Sequence, residues 1–336
     1  MQNKRNLIIS AGGTGGHIIP ALTIGLSLQN VNPIFICGRR DIEKTVYENF
    51  NVKPILLNLN SFSFVSFIFS LPKNIMTAVK ILIDKNPQSV IIAGNYTSVP
   101  VGIASVMLHK RLFAVEQDAL IGKANKVFAR AACRIFTAYE PPFRYIDNKK
   151  AVYVGHVIRD EVRNPRKSEN DITIETDRKK ILIMGGSQGA LTMTKKIIEI
   201  LSKKGEYHLI VIAGKNLEKF ECAPNTTLLG FYKNMGYLYS IADLIIARSG
   251  ALSVAEIAST NKPAVFIPLS TASNNEQRKN VEALMKNNSQ FEILDEYKID
   301  EESLLRKIKR VEVLRGANKS AETVFKKQIS IIENYV

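Results

Sequence analysis

Short apolar runs alternate with longer stretches whose apolar residues recur at helical spacing, from the first residues to the last. In the first half the runs predict strands at Leu7–Ser10, Pro33–Cys37, Pro54–Leu57, Ser89–Ala93, Leu112–Val115, Arg134–Thr137 and Ala151–Val154. In the second half they fall at Lys180–Met184, His208–Ala213, Thr227–Leu229, Leu244–Ala247, Ala264–Ile267 and Phe291–Leu294. Strand–helix alternation of this kind implies mostly parallel sheets covered on both faces. The charged, weakly periodic stretch 159–179 reads as a linker between residues 1–158 and 180–316, and 317–336 as a closing helix.

Each half opens on strand, glycine loop, helix. Leu7-Ile8-Ile9 leads into Gly12-Gly13-Thr14-Gly15-Gly16-His17-Ile18-Ile19-Pro20, and the second apolar run leads into Gly185-Gly186-Ser187-Gln188-Gly189-Ala190. Glycine allows close backbone approach to a ligand, and free N–H groups at the following helix favour an anion there. His17 puts a titratable imidazole at the rim of the first loop.

Two familiar phosphate motifs do not fit. A dinucleotide fingerprint needs a third glycine where Ile18 stands and a carboxylate after the second strand, where the chain reads Cys37-Gly38-Arg39-Arg40. The Gly-Lys-Ser/Thr of a P-loop is absent. A nucleoside diphosphate between two domains remains. A third element strengthens that reading: Ala242 to Glu256 predicts strand, tight turn and helix, with Ser249, Gly250 and Ala251 offering backbone donors. Glu256 follows about a turn later, able to accept two hydrogen bonds from a ribose diol.

Composition narrows the setting. Cys37, Cys133 and Cys222 have no metal spacing, which argues for a reducing compartment without disulfides or zinc. No signal-peptide pattern opens the chain, and no apolar run approaches the roughly 20 residues that span a bilayer. The net charge of +15 suits either a plain basic surface or an anionic partner, and no nucleic-acid motif is present. Between Ser61 and Leu82, Phe62, Phe64, Phe67 and Phe69 precede Ile75, Met76 and Val79, flanked by Lys73, Lys80 and Lys85. That pattern fits an ordinary core helix, and it equally fits an element dipping into a lipid interface.

In this order the motifs resemble those of the MurG family, the UDP-N-acetylglucosamine transferases that convert lipid I to lipid II in peptidoglycan synthesis. The similarity covers essentially the whole chain. It includes Gly94-to-Pro100, Glu116-Gln117-Asp118-Ala119 with Gly122 and Asn125, Gly155-to-Arg159, and Gln277 with Asn280. The resemblance implies two Rossmann-like α/β domains facing a cleft, the glycosyltransferase-B fold, with the acceptor on the N-terminal domain and UDP-GlcNAc mainly on the C-terminal one. It implies that Ser187 and the Leu252 backbone hold the diphosphate within the Ala251-Leu252-Ser253-Val254-Ala255 turn, and that Glu256 binds the ribose. Tyr232 falls where the main chain reads the uracil edge, Arg248 would cap that pocket, and Arg159 would steady the nucleotide. Ala251 and Gln277 would contact the sugar, while Thr14, Gly15 and Gly16 would close over the donor.

The implied chemistry is inverting transfer to the C4 hydroxyl of an N-acetylmuramoyl group, with His17 as general base or, alternatively, only as an orienting group. No cofactor is required, without an Asp-x-Asp motif, although a loosely bound Mg2+ stays open. The expected partners are UDP-GlcNAc, undecaprenyl-linked lipid I and an anionic membrane surface, the protein sitting peripherally on the cytoplasmic face. A related transferase using another acceptor such as diacylglycerol, or a non-catalytic scaffold binding the same ligands, shares these donor motifs. Five positions depart from the family pattern. Asp118 replaces the usual Asn near the sugar site, His156-Val157 replaces Asn-Pro, Glu276 replaces Gln or His, and Asn95 replaces a glycine.

Overall fold

A computed structural model describes residues 4–59, 64–141, 146–186, 190–271, 275–285, 289–313 and 321–336. The chain forms two α/β units, Met1–Val157 with Thr323–Val336, and Ile158–Glu322.

In the first unit, β1 (Arg5–Ser10), β2 (Val31–Cys37), β3 (Ile55–Leu56), β4 (Ser89–Ile92), β5 (Arg111–Glu116), β6 (Arg134–Thr137) and β7 (Ala151–Tyr153) form one sheet ordered β3-β2-β1-β4-β5-β6-β7. Every pairing is parallel, with Leu7 opposite Pro33 on one side and Ser89 on the other. Leu7, Ile8 and Ile9 are all buried, as a strand covered on both faces requires. The crossover helices are α1 (Gly15–Ser27), α2 (Asp41–Asn49), α3 (Phe64–Lys85), α4 (Ser98–Met107) and α5 (Lys123–Phe128).

The second unit begins with α6 (Asp160–Arg163) and repeats the plan. Strands β8 (Lys179–Met184), β9 (Tyr207–Ile212), β10 (Thr226–Leu229), β11 (Leu244–Ala247), β12 (Ala264–Phe266) and β13 (Phe291–Ile293) are parallel in the order β10-β9-β8-β11-β12-β13. Around them lie α7 (Leu191–Leu201), α8 (Met235–Ile241), α9 (Ala251–Thr260), α10 (Glu276–Met285) and α11 (Glu301–Val313). The last helix, α12 (Ala321–Glu333), belongs to the first unit: Phe325, Ile329 and Ile332 join its core, and Glu333 accepts from the Gln29 and Asn30 amides at 3.0 and 3.1 Å.

Strand order reverses between β1 and β4 in one sheet and between β8 and β11 in the other. In open α/β sheets such a switch point, at the carboxyl ends of the strands, is where ligands sit. The glycine loops leave β1 and β8, so each lies at its unit's switch point.

Two expectations change. Residues 159–179 are not a free linker. Ile172 and Ile174 pack on the second unit's core, and Asp171 accepts hydrogen bonds from Tyr232 (2.7 Å) and Asn234 (2.6 Å). The expectation that no run is long enough to cross a membrane also fails: Val65–Lys85 in α3 qualifies by length and composition. Its Asn74, Ala78 and Leu82 face is nevertheless buried against the unit, while Val65, Ile68, Phe69, Met76 and Ile83 are exposed. Residues 60–63, with Phe62, lie outside the described residues.

Candidate active site

The first glycine loop is built around one buried carboxylate. Gly13 turns the chain with φ +83°, and Thr14, extended, caps α1 with its carbonyl accepting from the amides of His17 and Ile18. Glu43, on the first turn of α2 and fully buried, accepts from the Gly13 amide, the Tyr96 hydroxyl (2.5 Å) and the Arg40 amide (3.2 Å). Asn95 donates to the Gly12 carbonyl and accepts from Thr97 Oγ1 at 2.6 Å. Its side chain therefore ties the β4–α4 loop to the glycine loop, which gives that departure from the family pattern a structural role. A side chain at Gly12 would meet Thr97 Cγ2 at 2.6 Å and Glu43 Oε1 at 2.8 Å. Glu43 makes no ion pair among the described residues, and the Gly13 N–H is spent on it.

His17, on the first turn of α1, is half-buried. Burial lowers its pKa, while the Asp118 charge and a hydrogen bond to the Ala93 carbonyl oppose that shift. The net effect is a neutral imidazole at physiological pH, able to accept a proton. Asp118 follows β5, and its amide donates to Glu116 Oε1 at 3.1 Å. Glu116 also accepts from the Gly122 amide (2.7 Å) and Asn125 (3.0 Å). Burial, reinforced by Asp118, nevertheless pushes the Glu116 carboxyl up to about 7. His156 packs edge-on against Tyr139, ring centroids 4.7 Å apart, with both ring nitrogens buried and unpartnered among the described residues. Burial drives its pKa down to about 4.

In the second unit Ser187 lies outside the described residues, as do Gln188 and Gly189. The flanking Gly186 (φ +73°) and Ala190 (φ +33°) hold the left-handed conformations that turn the chain into α7. Gly250 caps α9, and a Cβ there would meet nothing within 4 Å. The Leu252 and Ser253 amides sit in the first turn of α9, where no intrahelical acceptor exists. Because β8 and β11 are neighbours, α7 and α9 follow adjacent strands at the switch point and cover opposite faces of the sheet. Neither carries an acidic residue in its first turn, so both keep their attraction for anions.

The other predicted site residues are engaged internally. Glu256, 2 % exposed, accepts from Arg159 Nε (2.6 Å) and Nη2 (3.0 Å) and from the Tyr239 hydroxyl (3.0 Å). Arg248 pairs with Glu296 (2.5 and 2.9 Å) and donates to the Ile267 and Pro268 carbonyls. Gln277 accepts from the Leu269 amide at 3.0 Å, and Tyr232 anchors on Asp171. Ala251, Val254 and Ala255 are buried, and Ser253 is half-buried. Sequence reasoning missed Glu43 and Tyr239. A glutamate three residues after a helix cap was the available signal for the first; nothing marked the second among its neighbouring tyrosines.

Two parallel sheets, ordered 3-2-1-4-5-6-7 and 3-2-1-4-5-6 with a glycine loop at each switch point, define a protein of two Rossmann-like α/β units. The profiles of the glycosyltransferase family 28 N-terminal and C-terminal domains match residues 7–137 and 180–333. The UDP-N-acetylglucosamine–N-acetylmuramyl-(pentapeptide) pyrophosphoryl-undecaprenol N-acetylglucosamine transferase of Sulfurihydrogenibium sp. is 30% identical over 95% of this chain and 98% of its own. The enzyme of the same name from Haemophilus ducreyi is 32% identical over 79% of this chain and 78% of its own. Crystalline MurG of Acinetobacter baumannii shares the fold at TM-score 0.71 and 22% identity, with 99% of each chain covered. UDP-GlcNAc 2-epimerase of Neisseria meningitidis does so at TM-score 0.69 and 15% identity, over 98% of this chain and 99% of that one. The chain belongs to the MurG family of N-acetylglucosamine transferases.

Proposed function

We propose that the protein moves GlcNAc from UDP-GlcNAc to the C4 hydroxyl of undecaprenyl-diphospho-N-acetylmuramoyl-peptide, the lipid I to lipid II step. Family membership over nearly the whole chain carries this reading. The acceptor oxygen attacks the anomeric carbon, the bond from that carbon to the diphosphate oxygen breaks, and the hydroxyl proton passes to His17. Inversion follows from the single displacement. Charge growing on the leaving UDP is met by the N-termini of α7 and α9, which stabilise it more in the transition state than in the ground state. In this reading backbone donors do the work that a resident metal does elsewhere, so activity survives a chelator. Ser187 and the Leu252 amide hold the diphosphate, Glu256 the ribose, and the main chain at Tyr232 the uracil edge. Gln277 and Ala251 serve the sugar.

The same reading places the protein peripherally on the cytoplasmic face of the membrane. What supports it is the exposed apolar face of α3, with Phe69 82% exposed, beside Lys73, Lys80 and Lys85 in a chain of net charge +15. Apolar burial and cation–anion attraction add at an anionic lipid surface.

The deciding experiment follows labelled GlcNAc from UDP-GlcNAc onto a lipid I analogue, with diacylglycerol as parallel acceptor and EDTA in one arm. Label in a lipid II product supports the reading. Label on the glyceride moves the acceptor, and donor binding without transfer to either points to a scaffold.

A further inference from the structure

Glu43 is fully buried and takes no part in the proposed chemistry, yet its carboxyl meets three loops of the first unit. Oε1 accepts from the Gly13 amide in the β1–α1 loop and from the Tyr96 hydroxyl (2.5 Å) in the β4–α4 loop. Oε2 accepts from the amide of Arg40 (3.2 Å), the residue that caps α2. One turn along α2, the Tyr47 hydroxyl donates to the Ala11 carbonyl at 2.9 Å. Residues four apart share a helix face, so α2 grips the glycine loop at two points. The seat is tight: a Cβ at Gly12 would lie 2.8 Å from Oε1, and one at Gly38 2.5 Å from Oε2. Both glycines make room for the carboxyl, a reason for them separate from ligand approach.

Both branches of this seat lead to His17. Gly13 precedes Thr14, whose carbonyl takes the His17 amide at 3.1 Å as α1 begins. On the other side the His17 ring donates to the Ala93 carbonyl at the end of β4. From there the chain turns through Gly94 (φ +84°) to Asn95 and Tyr96, and Asn95 closes the circuit by donating to the Gly12 carbonyl. The carboxyl thereby ties the loop that carries the imidazole to the loop that holds its N–H. With one ring nitrogen donating, the other is left as acceptor.

We infer that Glu43 is a positioning residue for His17: its oxygens join the Gly13 and Tyr96 loops and so aim the imidazole. The plain alternative is that the carboxyl only satisfies buried donors and stabilises the unit. The effect on transfer rests on the proposed function, whereas the placement of the ring is read without turnover.

The chain has four histidines, so NMR titration of labelled histidine follows each ring, and His17→Ala identifies the signal. In the wild type burial holds the His17 pKa below 6.5, against the opposing charge of Asp118. In Glu43→Ala it should rise toward 6.5 while His208, in the second unit, titrates as before. A His17 signal that stays or moves down overturns the inference. If Glu43→Ala does not fold, Tyr47→Phe, which removes the second grip and keeps the ring, should move the signal the same way. In the transfer assay, run well below the melting temperature, Glu43→Ala should lower kcat roughly 10²-fold with UDP affinity intact. Because that loss passes through His17, the His17→Ala/Glu43→Ala double variant should match His17→Ala within about threefold. Losses that multiply in the double variant reduce Glu43 to a structural role. A moved signal with intact turnover in His17→Ala overturns the base assignment and leaves the positioning standing.

Discussion

Gly236 is where stability and the proposed donor site meet, and replacing it with alanine tests the link between them. It is the second residue of α8, and a Cβ there would lie 1.5 Å from the Glu161 carbonyl oxygen, 2.3 Å from its carbon and 2.9 Å from the Val162 nitrogen. These are backbone atoms of α6 and cannot swing aside as a side chain can. Non-bonded heavy atoms rest at about 3.5 Å, so α6 must retreat by roughly 2 Å. Overpacking of this kind costs about 1–3 kcal/mol, and the backbone obstacle puts Gly236→Ala at the upper end. For a unit of this size, about 3 kcal/mol corresponds to a melting temperature lower by roughly 6–12 °C. The cap of α6 is Arg159, whose contacts with Glu256 are 2.6 and 3.0 Å. A retreat of that size breaks both, and UDP affinity should fall along with stability. Scanning calorimetry and UDP titration read the two effects. Gly205→Ala, where a Cβ meets nothing within 4 Å, is the control and should change neither for the worse. A Gly236→Ala protein that melts with the wild type and binds UDP equally well would refute the packing argument.

Further predictions concern the first unit. His17→Ala should lower turnover by roughly 10²–10⁴-fold while leaving UDP-GlcNAc affinity intact; intact turnover would exclude the base. Asp118→Asn removes the charge that raises His17 and Glu116, so the acidic limb of kcat/KM should move to lower pH, and a limb that stays or moves upward contradicts the coupling. His156 has a folded-state pKa of about 4 against 6.5 unfolded, so its stabilising contribution is present above pH 6.5 and lost as pH falls toward 4. That loss is about 3 kcal/mol, and urea melts of His156→Asn at both pH values should show a correspondingly smaller acid destabilisation; an unchanged one refutes it. Phe69→Ser should weaken binding to anionic vesicles at least about tenfold, as expected for losing an apolar side chain from the interface; unchanged binding places the membrane contact elsewhere.

The strands were legible because parallel strands buried on both faces read as continuous apolar runs, and Val90-Ile91-Ile92 or Ile245-Ile246 allow no other reading. The extent of α3 was not, because Pro72, Lys73 and Asn74 interrupt its pattern. In the fold Asn74 is satisfied by the Ser70 carbonyl at 2.8 Å and the Asn58 carbonyl at 3.0 Å, so the helix continues through it. The packing of 159–179 was hidden because its two anchors, Ile172 and Ile174, stand among charges, and their partner Tyr237 lies far along the chain, donating to the Ile172 carbonyl at 3.0 Å. The second unit's glycine loop was legible as a pattern, but the partners that bind Glu256 were not. Arg159 and Tyr239 sit on different helices, and sequence spacing carries no sign of their convergence.

The two glycine loops look alike in sequence and differ in electrostatics. A helix N-terminus carries roughly half a positive charge. At α1 the Gly13 amide is already taken by Glu43, and the Asp118 charge acts on His17. The local balance is negative, which suits a site where an imidazole becomes imidazolium and ill suits a diphosphate. At α7 and α9 no acid occupies the first turn, Gly250 opens on free space, and the one carboxylate further along α9 is neutralised by Arg159. That balance is positive, and it suits the departing UDP. In the proposed function a shared motif of strand, glycines and helix would serve proton acceptance in one unit and anion stabilisation in the other, and the side chains reaching in from α2 and the loop after β5, rather than the glycines, would decide which.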